Sequence, residues 1–211
     1  MSPKLIARRL VQLYIGLLLY GLAAALQLRS GLGLDPWDVF HQGLAGHLGI
    51  AIGTVVIIVG AAVLLLWIPL RQWPGLGTVS NAVLIGVSMN VSLQLLPGGG
   101  PLGWRIVELA GAVVLCGVAT GMYIGAKFGP GPRDGLMTGL ARRTGRSIRL
   151  VRTGIELTVL TAGWLLGGTV GIGTVVFALA IGPLTQVFLP LFATPTPDDH
   201  AAILAPARVG A

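Results

Sequence analysis

A short segment rich in glycine and proline occurs twice in the sequence, and each copy places ionisable residues between long apolar runs. The first copy carries Asp38, with Trp37 and His41 close by, and the second carries Asp134 beside Arg133. Carboxylates in or near a membrane are energetically expensive and usually serve a function, such as solute binding or proton relay. These five residues are therefore the first candidates for a substrate-binding site.

Helix capping explains the same two aspartates equally well. Pro36 and Pro132 suit the first position of a helix, where the missing N–H costs nothing. Asp35 is then predicted to be an N-cap, and Asp38 and Asp134 fall at the third helical position, where a carboxylate can reach back to free backbone N–H groups. The helix dipole also favours negative charge there. Capping and binding both stay open at this point.

Asn81 and Glu156 are further binding candidates because both lie inside predicted membrane helices. Glu156 follows Arg152 by four residues, which also fits an ordinary ion pair on a helix surface. Asn81 also fits a hydrogen bond between helices. No HExxH, CxxC, Walker A or G-x-S-x-G pattern occurs, and Cys116 is the single cysteine. The sequence therefore predicts no catalytic residue, no metal site and no cofactor.

The elements that must position these residues are membrane helices. The chain is 54% hydrophobic and 10% charged, whereas a soluble globular domain carries about 25% charged residues. A net charge of +7 would suggest nucleic acid for a soluble protein, but no basic stripe interleaved with aromatic residues lies outside the apolar runs. We therefore expect the lipid bilayer, and not nucleic acid, as the partner.

The apolar runs predict an all-α membrane protein. A spanning helix needs roughly 20 apolar residues, and six runs qualify. Two shorter segments, 36–47 and 132–142, are too short to cross a core of about 30 Å and must be interfacial or re-entrant. A single transmembrane domain is thus predicted over 1–192, followed by a flexible cytoplasmic tail over 193–211. The six runs are about 9–29, 51–70, 76–96, 104–126, 150–168 and 172–192.

An internal repeat becomes visible when the chain is shifted by 96 residues. Residues 31–86 then align with 127–182 without a gap, and 19 of the 56 pairs are identical. Each copy contains three spanning helices and one short helix, with repeat 1 at about 9–96 and repeat 2 at about 104–192. Because three crossings is an odd number, the second copy must enter the membrane from the opposite side. This predicts an inverted repeat, as in many secondary transporters.

The positions of lysine and arginine predict that both termini are cytoplasmic. In that orientation twelve of the fourteen positive residues are cytoplasmic, and only Arg29 and Arg105 face outward, as the positive-inside rule requires. The loop before Pro36 is then outside and the loop before Pro132 inside. One cytoplasmic cluster could also bind anionic lipid headgroups; it comprises Arg142, Arg143, Arg146, Arg149 and Arg152.

Four motifs resemble those of the YczE-like members of the bacterial YczE/YyaS/YitT membrane protein family. They are Gly33–Val39, His41–Leu44, Gly129–Leu140 and Arg152–Glu156, and the resemblance extends over about residues 8–192. It implies an integral protein of the bacterial cytoplasmic membrane with a transport role. It assigns no catalytic or binding residue.

These patterns favour a small secondary transporter or permease for an unknown small solute, in which the repeats move around a site containing Asp38 and Asp134. The alternative is a membrane scaffold or an accessory subunit of another membrane or biosynthetic complex, which fits the small size and the lack of a soluble domain. Formation of a homodimer is expected to be compatible with either function.

The inverted repeat makes a prediction for chemical labelling. Cysteines introduced near positions 34 and 130 should react with a membrane-impermeant thiol reagent from opposite sides, because their loops are predicted to face opposite compartments. The measurement compares intact cells with inverted vesicles in a Cys116→Ala background. Labelling of both positions from the same side would show that the second copy is not inverted.

Overall fold

The computed structural model describes residues 3–194, and that part of the chain forms eight α-helices and no strand. The predicted all-α class is therefore confirmed. All of the predicted tail beyond Thr194 lies outside the described residues, while Thr194 donates both its N–H and its hydroxyl to Gly125 O. The helices are α1 (Pro3–Ser30), α2 (Pro36–Leu48), α3 (Ile52–Trp67), α4 (Leu76–Leu95), α5 (Leu102–Gly125), α6 (Pro132–Thr144), α7 (Ile148–Leu165) and α8 (Ile172–Phe192).

Four of these helices, α1, α4, α5 and α8, are long and apolar enough to cross a membrane. Helices α2 and α3 meet at an angle of 112° and together could form a fifth span. The other two predicted runs fall short for physical reasons. Helix α3 has only 16 residues, or about 24 Å of helix, and α7 carries Arg149, Arg152 and Glu156. The described chain thus has four or five candidate spans.

Both short helices begin at a proline and end at a glycine. Helix α2 starts at Pro36 and is capped by Asp35, whose side chain accepts two backbone N–H groups, as predicted. Helix α6 starts at Pro132. The helices end at Gly49 and Gly145, which both adopt a left-handed conformation with φ of 66°, where glycine avoids the steric cost of a Cβ atom. Local sequence therefore limits each helix to 13 residues.

The 96-residue spacing of the sequence is also the spacing of the helices. Helices α2, α3 and α4 start at residues 36, 52 and 76, and α6, α7 and α8 start at 132, 148 and 172. The loops before the short helices repeat as well, since Gly33 and Gly129 have the same φ of 117°. The two halves of the chain therefore share one local structure, element by element.

The halves are joined by reciprocal hydrogen bonds at the starts of α4 and α8. The backbone N–H of Gly77 donates to Phe128 O at 2.9 Å, and that of Gly173 donates to Leu32 O at 2.8 Å. Each acceptor precedes the short helix of the opposite half. The free N–H groups at the N-terminus of a helix need such partners, and here each half supplies them to the other.

The centre of the protein is the pair α1 and α5, which run antiparallel. Arg9 near the start of α1 donates to Ala126 O just after α5, and Arg105 near the start of α5 donates to Ser30 O at the end of α1. Helix α4 packs beside α1, and α8 packs beside α5. Each short helix packs chiefly on a helix of the other half: α2 on α7, and α6 on α3.

The two halves differ in how their last two helices pack. Helices α3 and α4 are in close contact, because Gly53 and Gly86 face each other and Gly53 N–H donates to Asn90 Oδ1 at 2.9 Å. The equivalent helices α7 and α8 make almost no contact within the described residues. We call the interface between α3 and α4 the seam of the first half. This seam is closed, whereas the equivalent seam between α7 and α8 in the second half is open.

The closed seam predicts a difference between two equivalent glycines. A Cβ atom on Gly86 would lie 2.2 Å from Gly53 O, whereas Gly182, which is 96 residues later, has no atom within 4 Å of its Cβ position. Gly86→Ala should force α3 and α4 apart and cost about 1–3 kcal/mol. Gly182→Ala should change stability by less than about 0.5 kcal/mol. Thermal unfolding in detergent measures both, and equal losses would contradict the seam.

Candidate functional site

Two carboxylates are buried at the start of α2. Asp35 is 5% exposed and Asp38 is 3% exposed. Asp35 caps the helix, so its position is set by local backbone geometry. Asp38 lies in the first turn of α2, and its Oδ1 is 2.9 Å from Nδ1 of the buried His41. The first turn of α2 therefore presents two acidic groups and one imidazole in the interior of the protein.

The positive charge that faces these carboxylates comes from the other half of the chain. Arg133, in the first turn of α6, places its guanidinium nitrogens 3.7 Å from Asp35 Oδ1 and 3.8 Å from Asp38 Oδ1. The guanidinium also lies over the Trp37 ring, 4.9 Å from its centroid, in cation–π geometry. These charge distances exceed those of a direct hydrogen bond, so Arg133 neutralises both acids without being tightly bonded to either.

A third carboxylate, that of Asp134, is held by a helix outside both short segments. Tyr123 in α5 donates its hydroxyl to Asp134 Oδ2 at 2.8 Å. Asp134 and Asp38 thus bond to side chains, Tyr123 and His41, rather than to the backbone N–H groups of their own helix turns. Asp35 therefore caps its helix by hydrogen bonds, while Asp38 and Asp134 lie in the first turns of α2 and α6 and bond to side chains.

The cluster carries an excess of negative charge. Asp35 and Asp38 share the guanidinium of Arg133, Asp134 adds a third carboxylate whose partner is the neutral Tyr123 hydroxyl, and His41 contributes charge only if it is protonated. An unbalanced charge in the interior is costly unless it is neutralised by a partner or by a proton. The arrangement can therefore hold a bound cation, bind protons, or exchange one for the other.

Two cavities flank the cluster. The smaller, of about 70 Å³, lies toward α3 and α4 and is lined by Trp37, His41, Asn81 and Tyr123 among others. A water molecule needs roughly 10–15 Å³ of such space, so several would fit. The larger, of about 320 Å³, lies toward α7 and α8. It is lined in part by Asp35, Arg133, Asp134, Arg152, Glu156, Thr185 and Gln186.

The residues predicted from the sequence come together here. Asn81 lines the smaller cavity and Glu156 the larger. Glu156 also accepts from Arg152 Nε at 2.8 Å, the ion pair that the sequence offered as an alternative. The remaining candidates form the cluster itself; they are Trp37, Asp38, His41, Arg133 and Asp134.

Sequence reasoning missed three members of the site. Asp35 was interpreted only as a cap, although its carboxylate also faces Arg133. Tyr20 and Tyr123 lie in apolar runs and line both cavities. The repeat offered no signal for Tyr123, because the equivalent position holds Gln27. Only the hydrogen bond from Tyr123 in α5 to Asp134 in α6 reveals its role.

The chain is similar to proteins without an assigned function. Residues 7–190 match a family described as a family of unknown function (DUF6198). An uncharacterized protein of Haemophilus influenzae is 38% identical over 181 residues, which cover 86% of this chain and 83% of that protein. The uncharacterized membrane protein YczE of Bacillus subtilis is 36% identical over 179 residues, or 84% of this chain and 83% of YczE.

A further relative is the uncharacterized protein YyaS of Bacillus subtilis. It is 27% identical over 181 residues, which cover 84% of this chain and 90% of YyaS. No solved structure matches the chain.

The shared guanidinium makes a stability prediction. Arg133→Gln should destabilise the protein by on the order of 3 kcal/mol, because it leaves Asp35 and Asp38 buried without their counter-charge. Arg152→Gln is the matched control: the Arg152 side chain is 52% exposed, and pairs of that kind contribute about 0–1 kcal/mol. Thermal unfolding in detergent measures both.

A double variant then separates charge from packing. Adding Asp38→Asn to Arg133→Gln should recover part of the loss, since one uncompensated carboxylate is removed. The charge assignment would be contradicted if the Arg133 and Arg152 variants were equally stable, or if the double variant were no better than Arg133→Gln alone.

Proposed function

This chain belongs to the family of unknown function DUF6198, together with the YczE-like proteins that its motifs resemble, and on that premise we propose that it is a small secondary transporter. Its homologue YczE is called a membrane protein, and the described chain has four or five candidate membrane spans. The observation that carries the proposal is the buried charge cluster, which lies between two repeated halves and adjoins a cavity on each side.

An inverted repeat is the architecture that we propose for these halves. The first helices of the halves, α1 and α5, run antiparallel, and the later helices recur at a spacing of 96 residues. Helices α2 and α3 form a bent pair that could be one broken span. If α6 and α7 likewise cross together, each half crosses three times. Six crossings then place both termini on the same side of the membrane, and the distribution of positive residues favours the cytoplasmic side.

The unequal packing of the halves supports alternating access. Helices α3 and α4 are closed at Gly53 and Gly86, whereas the larger cavity lies between the separated α7 and α8. In transporters with inverted repeats, one conformation closes one half and opens the other, and the exchange of these roles moves the site across the membrane. Here the charge cluster would stay in place while α7 approaches α8 and α3 leaves α4.

The charge of the cluster favours a cation as the solute. Asp35 and Asp38 share one guanidinium and Asp134 adds a third carboxylate bonded by Tyr123, so a bound cation would relieve the excess negative charge. The aromatic rings of Tyr20, Trp37 and Tyr123 line the cavities, and such rings bind organic ammonium groups through cation–π contacts. Proton exchange on the same carboxylates could then couple transport to a proton gradient. No catalytic step is assigned to the cluster.

Ligand-dependent unfolding tests the proposal. A ligand that binds only the folded state raises its stability, by about 2.7 kcal/mol at one hundred times its Kd. We expect an organic ammonium ion or an amine from a panel of cations and anions to raise the melting temperature of the purified protein. Asp38→Asn and Asp134→Asn should lose this shift because each removes one of the acids that balance the cation.

Glu108→Gln is the control for loss of a buried acid. Glu108 is 7% exposed and lies in α5, and it lines neither of the two cavities beside the cluster, so this variant should keep the shift. Proteoliposomes that contain the wild type should also take up the identified cation. The alternative function, a membrane scaffold or accessory subunit, would be favoured by two results together. No cation would shift the melting temperature, and the Asp38 and Asp134 variants would merely be less stable than the wild type.

A further inference from the structure

A second site lies at the end of α6 and the start of α7, away from the charge cluster. Two cavities meet there and share one residue, Arg146. The larger is a groove of about 810 Å³ between α3 and α7, and the smaller is a basic pocket of about 400 Å³ that Arg142 also lines. An apolar space and a basic space are thus joined at one arginine.

The groove is almost entirely apolar. Its walls include Val59 and Leu66 from α3 and Ile155 from α7, and its floor includes Leu140 from α6. Leu66 is 51% exposed along this groove, so the helices leave a face that another apolar group can cover. A groove of this composition in a membrane protein suits an acyl chain rather than a polar solute.

The basic pocket has free charge available. Among the described residues, neither Arg142 nor Arg146 makes an ion pair or a side-chain hydrogen bond, whereas nearby Arg143 donates to Pro69 O and Arg152 pairs with Glu156. Thr138 adds a hydroxyl to the lining. Guanidinium groups of this kind bind phosphate, with charge-assisted hydrogen bonds. Orientation by the positive-inside rule requires only the charges and does not explain the adjoining groove.

From this juxtaposition we infer that an anionic phospholipid of the surrounding bilayer binds here, with its phosphate at Arg142 and Arg146 and one acyl chain in the groove. The expected cytoplasmic location of these arginines matches the leaflet in which anionic lipids attract basic residues. Trp37 lines both the inner part of the groove and the cavities of the charge cluster. The bound chain would therefore form part of the wall that supports Trp37. This site does not depend on the proposed transport function.

Native mass spectrometry of the purified protein tests the headgroup. The probes are palmitoyl-oleoyl phosphatidylglycerol, which is anionic, and palmitoyl-oleoyl phosphatidylcholine, which is not. The wild type should retain phosphatidylglycerol preferentially, and Arg146→Gln should reduce that preference roughly fivefold. Arg149→Gln is the control, since it removes the same charge from the same cluster but lines neither cavity; it should keep the preference.

Filling the groove tests the acyl chain. Gly154 lines the groove, and Gly111 lies on α5 outside it; neither has an atom within 4 Å of its Cβ position. Gly154→Phe should remove the tightly held lipid, and Gly111→Phe should retain it, with both melting temperatures measured to verify folding. Any of three results would overturn the inference. The wild type could retain both lipids equally, the Arg146 and Arg149 variants could have equal effects, or the folded Gly154→Phe variant could still retain phosphatidylglycerol.

Discussion

The Arg133 guanidinium lies between the carboxylates of Asp35 and Asp38 and supplies the positive charge that allows both acids to be buried. In a medium of low dielectric constant an unpaired carboxylate is far more costly than in water, so the position of this one side chain constrains everything around it. The acids belong to α2 and the arginine to α6, at equivalent places in the two halves. Neither half could keep its charges buried without the other.

The rest of the fold holds those two helix starts in register. The loops that precede α2 and α6 accept hydrogen bonds from the first turns of α8 and α4, respectively, through Leu32 O and Phe128 O. Helix α6 is further fixed on α3 by Trp67, whose indole N–H donates to Pro132 O at 3.0 Å. Gly135 leaves room for that indole ring, because a Cβ atom there would lie 1.9 Å from Trp67. Backbone contacts of this kind tolerate little movement, so the charged groups are placed accurately.

Equal local structure does not mean equal surfaces. Val56 and Gly60 of α3 correspond to Arg152 and Glu156 of α7 at the same spacing of 96 residues. The first pair faces the small cavity beside the closed seam, and the second pair lines the large cavity. The two helices thus start at matching positions, but at these positions α3 presents apolar residues beside the closed α3–α4 interface and α7 presents charged ones beside the separated α7 and α8.

Features that depend on local chemistry could be predicted from the residues alone. Pro36 and Gly49 delimit α2 because proline suits a first turn and glycine suits a left-handed end, and the same holds for α6. The spacing of the repeat follows from direct comparison of residues. The family membership was also predicted correctly, since it rests on short motifs that can be recognised without distances.

The contacts within the charge cluster, in contrast, depend on how distant helices pack. Tyr123 donates to Asp134, and Arg133 faces Asp35, which is almost a hundred residues away. Neither contact can be read from local patterns. The residues also gave no sign that the Trp67 indole, at the end of α3, would donate to Pro132 O in the other half. A single sequence specifies periodicity and helix ends through interactions between near neighbours, whereas the charge cluster and the open seam arise from contacts between segments whose distances no local pattern encodes.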